Sequence, residues 1–246
     1  METPAEYDWD AHWRAGGSDM PSRAQREAAS LVLRHLPDGV ERVADLGSGA
    51  GVVACLVARA LPAASVVGID ASSESSARAT ERAAREGLTN VSFSTARADA
   101  LPFGSDLLDL VYSDQLLQYT DEPSMLREIT RVLRPGGRAI LIAPNASNVV
   151  FAATALIAGD RHGSRRVYTR HRLRSLAHGA GLRVLDWDGY LPAYPVQRLG
   201  YFYAPWIAPV GTLAERLSDR IDSRTARGLS RRFGFSTALV AERAYQ

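Results

Sequence analysis

The 246-residue chain contains no lysine, and all 29 of its basic residues are arginine. Schiff-base chemistry and a lysine general base are therefore excluded. Cysteine is nearly absent as well. With Cys55 alone, no disulfide can close within the chain and no zinc cluster of several cysteines can be built. No run of eighteen apolar residues occurs, so no membrane span is expected. The N-terminal METPAEYDWDAHWR lacks the basic start and apolar run of a secretory signal, which implies a cytoplasmic location. The chain is 46% hydrophobic and 23% charged, enough apolar material for the core of one large α/β domain. Its formal net charge of +2 conceals a gradient. Residues 1–159 hold 14 arginines against 20 acids, and residues 160–246 hold 15 against 7. Such a basic third is first a solvated arginine-rich face, and second a surface for an anionic substrate, a membrane or nucleic acid.

Apolar, β-rich runs alternate with stretches of helical period between residues 40 and 143: ERVADL, SVVGID, VSFST, LLDLVYS and RAILIA. That alternation predicts a parallel sheet with helices at roughly 51–61, 72–87 and 122–133. The last helix runs into Arg134-Pro135-Gly136-Gly137, where proline and glycine stop it. An amphipathic helix at 22–36 precedes the sheet. After the fifth strand an apolar helix near 147–158, a basic helix near 169–179, a sixth strand in LRVLDWDGY and a seventh in FGFSTALVAERA are expected. The expected architecture is a doubly wound, mostly parallel seven-stranded α/β sheet with helices on both faces and an antiparallel last strand. It divides into an N-terminal helical lid (1–38), a cofactor-binding core (40–143) and a substrate-side half (144–246) with an insertion at 190–231.

The sharpest local signal is Val43-Ala44-Asp45-Leu46-Gly47-Ser48-Gly49-Ala50-Gly51, a strand entering a glycine-rich turn and then a helix. Glycine lets such a turn be tight and lets a ligand approach the backbone closely. The spacing is G-x-G-x-G rather than the dinucleotide G-x-G-x-x-G, and Asp45 stands two residues before the first glycine. A carboxylate there repels a pyrophosphate and suits the ammonium of an amino-acid moiety. Asp70 closes the second strand, where an acid can accept from ribose hydroxyls. Asp99, in Ala98-Asp99-Ala100-Leu101-Pro102-Phe103, follows the third strand and can accept from an exocyclic adenine amine.

On VADLGSGAG, VVGID, RADALPF, LLDLVYSDQLLQYT and LREITRVLRPGGRAIL, residues 40–143 resemble class I S-adenosylmethionine (SAM)-dependent methyltransferases of the ubiquinone/menaquinone-pathway and natural-product group. The resemblance implies SAM as cofactor, S-adenosylhomocysteine as product and no metal. It implies that Asp45, Gly47, Ser48, Gly49 and Gly51 hold the methionine end, Asp70 and Ala71 the ribose, and Asp99 and Ala100 the adenine, with Ser113 facing the amino-acid or methyl end. Where relatives often carry a histidine after the fourth strand this chain has Gln118, so no catalytic histidine carries over there.

A sulfonium leaving group needs no assistance, so alignment can supply much of the rate, about 7–11 kcal/mol at the upper end. An oxygen acceptor of high pKa needs a base and a carboxylate needs none. His12, Asp114 and Tyr119 are the candidate acid/base groups. Tyr7, Trp13, Tyr168, His171, Tyr201 and Tyr203 are the candidate acceptor-lining residues, aromatic faces being attractive to a sulfonium. The expected reaction is methyl transfer to an O or N atom of a small, lipophilic metabolite carrying some negative charge near Arg165, Arg166 or Arg170. Nucleic acid is not the expected partner, because Ser113-Asp114-Gln115 replaces the Asn/Asp-Pro-Pro-Tyr/Phe that base methylation uses. The competing reading is a SAM-binding protein that transfers no methyl, pericyclase-like or regulatory, with RNA methylation behind it. A monomer or homodimer is expected.

Overall fold

The computed structural model describes residues 21–148, 166–190 and 231–245. Expectations placed on the N-terminal aromatic segment, the helix near 147–158 and the 191–230 part of the insertion lie outside these residues. The elements are α1 (Arg23–Arg34), β1 (Arg42–Leu46), α2 (Val52–Ala60), β2 (Ser65–Asp70), α3 (Ser73–Arg85), β3 (Val91–Thr95), β4 (Leu108–Asp114), a 3₁₀ turn (Leu117–Tyr119), α4 (Glu122–Val132), β5 (Leu133–Pro144), α5 (Arg170–Gly179), β6 (Leu182–Tyr190) and β7 (Ser236–Arg243).

The seven strands form one sheet in the order β3-β2-β1-β4-β5-β7-β6. β1 to β5 pair in parallel, and β7 runs antiparallel to both β5 and β6. Period-two alternation separates two cores. Val43, Leu110, Tyr112, Ile140 and Ile142 face α1 and α2, whereas Ala44, Leu46, Val111, Leu141 and Ala143 face α4 and α5. The central strands β1, β4 and β5 are largely buried on both sides, as a sheet covered on both faces requires, whereas the edge strands β3 and β6 carry exposed polar residues. The strand order reverses between β1 and β4, and a doubly wound sheet opens its ligand crevice at the carboxyl ends of the strands at that switch.

Caps set the helix starts. Ser22 forms a reciprocal capping box with Gln25, and Ser72, Asp121 and Thr169 each accept from the amide three residues on. One sequence expectation needs adjustment. Arg134-Pro135-Gly136-Gly137 does end α4, but these residues stay within β5 as a bulge opposite Asp109, between the Leu108↔Leu133 and Leu110↔Arg138 pairs. Gly136 takes φ +75, a conformation that lets the extra residues fold out of the ladder.

Candidate functional site

The carboxyl end of the sheet collects acids. Asp45 sits in β1 opposite Tyr112 of β4, Asp70 ends β2 and Asp114 ends β4. Asp45 is 2% exposed. Burial, then the negative charge of Asp114, and more weakly that of Asp70, push its carboxyl well above the usual carboxylate range; the Tyr112 hydroxyl facing it opposes the shift. That hydroxyl closes no hydrogen bond of ordinary length. Asp114 is half-buried, and burial pushes it up to about 7 against the hydrogen bonds of Tyr190 and Gln115. The Tyr190 hydroxyl donates to Asp114 Oδ1 at 3.1 Å. Three carboxylates brought together, with no arginine among the described residues acting on Asp45, make a site that a cation stabilises.

The glycine turn is built around this cluster. Gly47 and Gly51 both take φ +73. A Cβ at Gly47 would fall 2.9 Å from the Leu116 side chain, and one at Gly51 2.7 Å from Phe93, so neither position admits a side chain. The amides of Gly47 and Ser48 donate to Ile69 O at 2.7 and 3.1 Å, locking the turn onto β2. Gly51 caps α2 without a side-chain hydrogen bond, so the first-turn amides of α2 are open to an anionic group such as an amino-acid carboxylate.

Asp70 has a double duty. Its Oδ2 accepts from the Gly49 amide and its Oδ1 from the Ser72 amide, both at 2.9 Å. A carboxylate oxygen can accept more than one hydrogen bond. The exposed Arg97 grips Asp99 through two bonds of 2.9 and 2.8 Å, holding its carboxyl below the usual range. Such surface pairs contribute about 0–1 kcal/mol, so an amine can displace Arg97 at little cost. Ser113 is fully buried and its hydroxyl has no hydrogen-bond partner.

Among the remaining expected residues, Tyr119 is half-buried on the 3₁₀ turn and His171 is exposed at the start of α5. Tyr168 does not line a ligand surface. It is fully buried in the core beneath α4 and α5, and its hydroxyl donates to Glu122 at 2.7 Å. Burying a phenol in that core requires its hydroxyl to be satisfied internally. Arg166, considered for acceptor charge, donates to Thr120 O and faces Glu122. Tyr7, His12, Trp13, Tyr201, Tyr203 and Arg165 lie outside the described residues. Cys55 is core packing, its thiol pushed up to about 11 by burial.

Two residues that position the site were not visible in the sequence. Arg82, mid-helix in α3 and 5% exposed, donates to Ala50 O at 3.0 Å and braces the glycine turn. Tyr190, read from the sequence as one aromatic of an insertion that could cover the acceptor, holds Asp114 across the sheet. Nothing in local periodicity marks either.

A methyltransferase-domain family matches residues 43–137, the span from β1 through the β5 bulge that contains the glycine turn and all three acids. Residues 43–137 belong to the class I SAM-dependent methyltransferases. The chain is 33% identical over 52% of its length to the ubiquinone/menaquinone biosynthesis C-methyltransferase UbiE of Desulfotalea psychrophila, covering 52% of that protein. It thus spans about half the length of that curated relative. Among solved structures, the [4+2]-cyclase SpnF superposes with a TM-score of 0.62 at 25% identity, over 94% of this chain and 86% of that one. A geranyl diphosphate C-methyltransferase from Streptomyces coelicolor shares the fold, with a TM-score of 0.66 at 14% identity over 90% and 80% of the two chains. Within the matched span Asp114 stands at the end of β4, its carboxyl pushed up to about 7 by burial.

Proposed function

We propose that the chain is a SAM-dependent methyltransferase acting on an O or N atom of a small, lipophilic acceptor. The observation that carries the reading is the buried Asp45, crowded by Asp114 and Asp70 beside a turn that admits no side chain at Gly47 or Gly51. That donor set fits SAM. Asp45 would take the ammonium, the α2 amides the carboxylate, Asp70 the ribose and the loop of Asp99 and Ala100 the adenine, with Ser113 toward the methyl. When bound, SAM supplies an electrophilic methyl on a sulfonium whose departure needs no acid.

The chain's own residues then set the acceptor side. Asp114 would receive the proton that an acceptor hydroxyl or amine loses, its affinity matched to neutral pH by burial. Tyr190 would hold the carboxyl in place and keep it from rising further. Methyl transfer should therefore rise with pH through about 7, and Asp114→Asn should remove that inflection in a folded protein that still binds S-adenosylhomocysteine. A pH profile unchanged in Asp114→Asn would eliminate Asp114 as the base. Incubation with methyl-labelled SAM and a cell extract should place label in a small-molecule fraction.

The likeness to a [4+2]-cyclase over nearly the whole chain supports one second reading, a SAM-binding protein that catalyses cyclisation. Cofactor uptake without label transfer to any extract fraction would favour it.

A further inference from the structure

Outside the acid cluster, the densest collection of like charge gathers around Trp187 of β6. The guanidinium of Arg170 stands 5.3 Å from the Trp187 ring centroid and that of Arg174 5.9 Å. Arg231 donates to Trp187 O at 2.6 Å and pairs with Asp186, and Arg170 in turn donates to Arg231 O. Arg232 acts on Arg170 from the next position. Four guanidinium groups thus meet one described carboxylate, Asp186. Repulsion is visible in Arg170, whose proton affinity falls below the arginine range through burial first, then through Arg231 and Arg232.

The backbone that carries two of these arginines is fixed. Asn145, 2% exposed just past β5, donates from its side-chain amide to Arg232 O at 3.0 Å and to Gly234 O at 2.9 Å. Asn148, 3% exposed, donates to Phe233 O at 2.8 Å. Two buried asparagines therefore pin three consecutive carbonyls, and cations held in place lose less entropy when an anion arrives. The segment also lies on the acceptor side of the crevice. Gln115, next to Asp114, donates to the Ser236 hydroxyl at 2.8 Å, immediately after this segment.

We propose that Arg170, Arg174, Arg231 and Arg232 form a binding site for a phosphate or diphosphate group carried by the acceptor. Guanidinium forks match phosphate oxygens in pairs, and among the described residues one carboxylate, Asp186, faces these four cations. Arg174 and Arg232 are exposed, each guanidinium resting against an aromatic ring, Trp187 and Phe233, Arg170 lends a partly desolvated charge, and Arg231 frames the floor. The N-terminal end of α5, where Arg170 is the first residue, adds its positive dipole end. This site specifies the acceptor of the transferase reading, but it stands on residues separate from the cofactor cluster.

The test is calorimetric titration of inorganic pyrophosphate into the full chain, with acetate and a single-stranded oligonucleotide as comparison ligands. Pyrophosphate should bind saturably, at about 1 mM or tighter, and acetate should not. The double variant Arg174→Gln/Arg232→Gln should weaken pyrophosphate at least about tenfold and leave S-adenosylhomocysteine affinity unchanged. Absence of saturable binding, equal binding by the double variant, or equal binding of acetate would overturn the site. An oligonucleotide binding more tightly than pyrophosphate and lost in the same variant would reassign the surface to nucleic acid and likewise overturn it. If wild type binds pyrophosphate but no S-adenosylhomocysteine, the cofactor reading fails while the anion site stands.

Discussion

The two ends of the sheet treat buried acids in opposite ways. At the amino end, Asp109 of β4 accepts from the Glu41 and Arg42 amides at 2.9 and 2.7 Å and pairs with Arg134 from the β5 bulge. Burial alone would raise its carboxyl, but these partners outweigh it and hold the group below the usual range. At the carboxyl end, Asp45 is buried and Asp114 half-buried, their hydrogen bonds do not outweigh desolvation, and both are raised. The first acid ties β1, β4 and β5 together and belongs to stability. The others cost stability in the free protein, and a cationic ligand recovers that cost on binding.

Substitutions should separate the two ends. The largest effect is expected at Asp45. Asp45→Asn should weaken S-adenosylhomocysteine at least about 100-fold, the value of a desolvated charge-assisted contact of about 3 kcal/mol, as read by calorimetry. Next, Asp109→Asn should destabilise the fold by about 2 kcal/mol in urea denaturation at pH 7, with cofactor affinity unchanged in the folded protein. Because the Asp109 carboxyl is lowered, its contribution is present above the ordinary carboxylate range and fades as pH falls through its folded value. Asp114 has the opposite sign. Its folded value of about 7 exceeds that of an unfolded aspartate, so its stabilising contribution is complete below about pH 4 and is lost as pH rises through 7. The ligand-free Asp114→Asn variant should therefore match wild type at pH 4 and exceed it by about 1–3 kcal/mol at pH 8, a crossover that thermal melts across pH would reveal. The smallest effect is expected at the brace. Arg82→Met should weaken S-adenosylhomocysteine about fivefold by loosening the glycine turn at Ala50, with the sheet intact by circular dichroism.

The same contrast explains what the sequence disclosed. Strands and helices of the core were legible because each writes its own period, and β6 falls on LRVLDWDGY as expected. Asp45, the glycine turn and Asp70 were legible because a strand, a turn and a helix are contiguous in the chain. Asp109 joins three strands yet was not singled out in the sequence, because Arg134 lies 25 residues away with no local mark of the pairing. Tyr190 and Asp114 are 76 residues apart, and Arg82 reaches back 32 residues to Ala50. Tyr168 was a candidate acceptor-lining residue in the sequence; in the fold it is buried in the core and its hydroxyl closes on Glu122, 46 residues away. Residues whose role depends on pairing across the sheet stay silent until the sheet is assembled.

The selection of a cation by the buried acid at the end of β1 is most directly tested by comparing two ligands. S-adenosylhomocysteine carries an amino-acid tail and methylthioadenosine lacks it, while both present the same nucleoside to Asp70 and Asp99. Wild type should prefer the former by at least about 100-fold, and Asp45→Asn should shrink that preference to a few-fold while methylthioadenosine affinity stays constant. A preference that survives intact in Asp45→Asn would contradict the account.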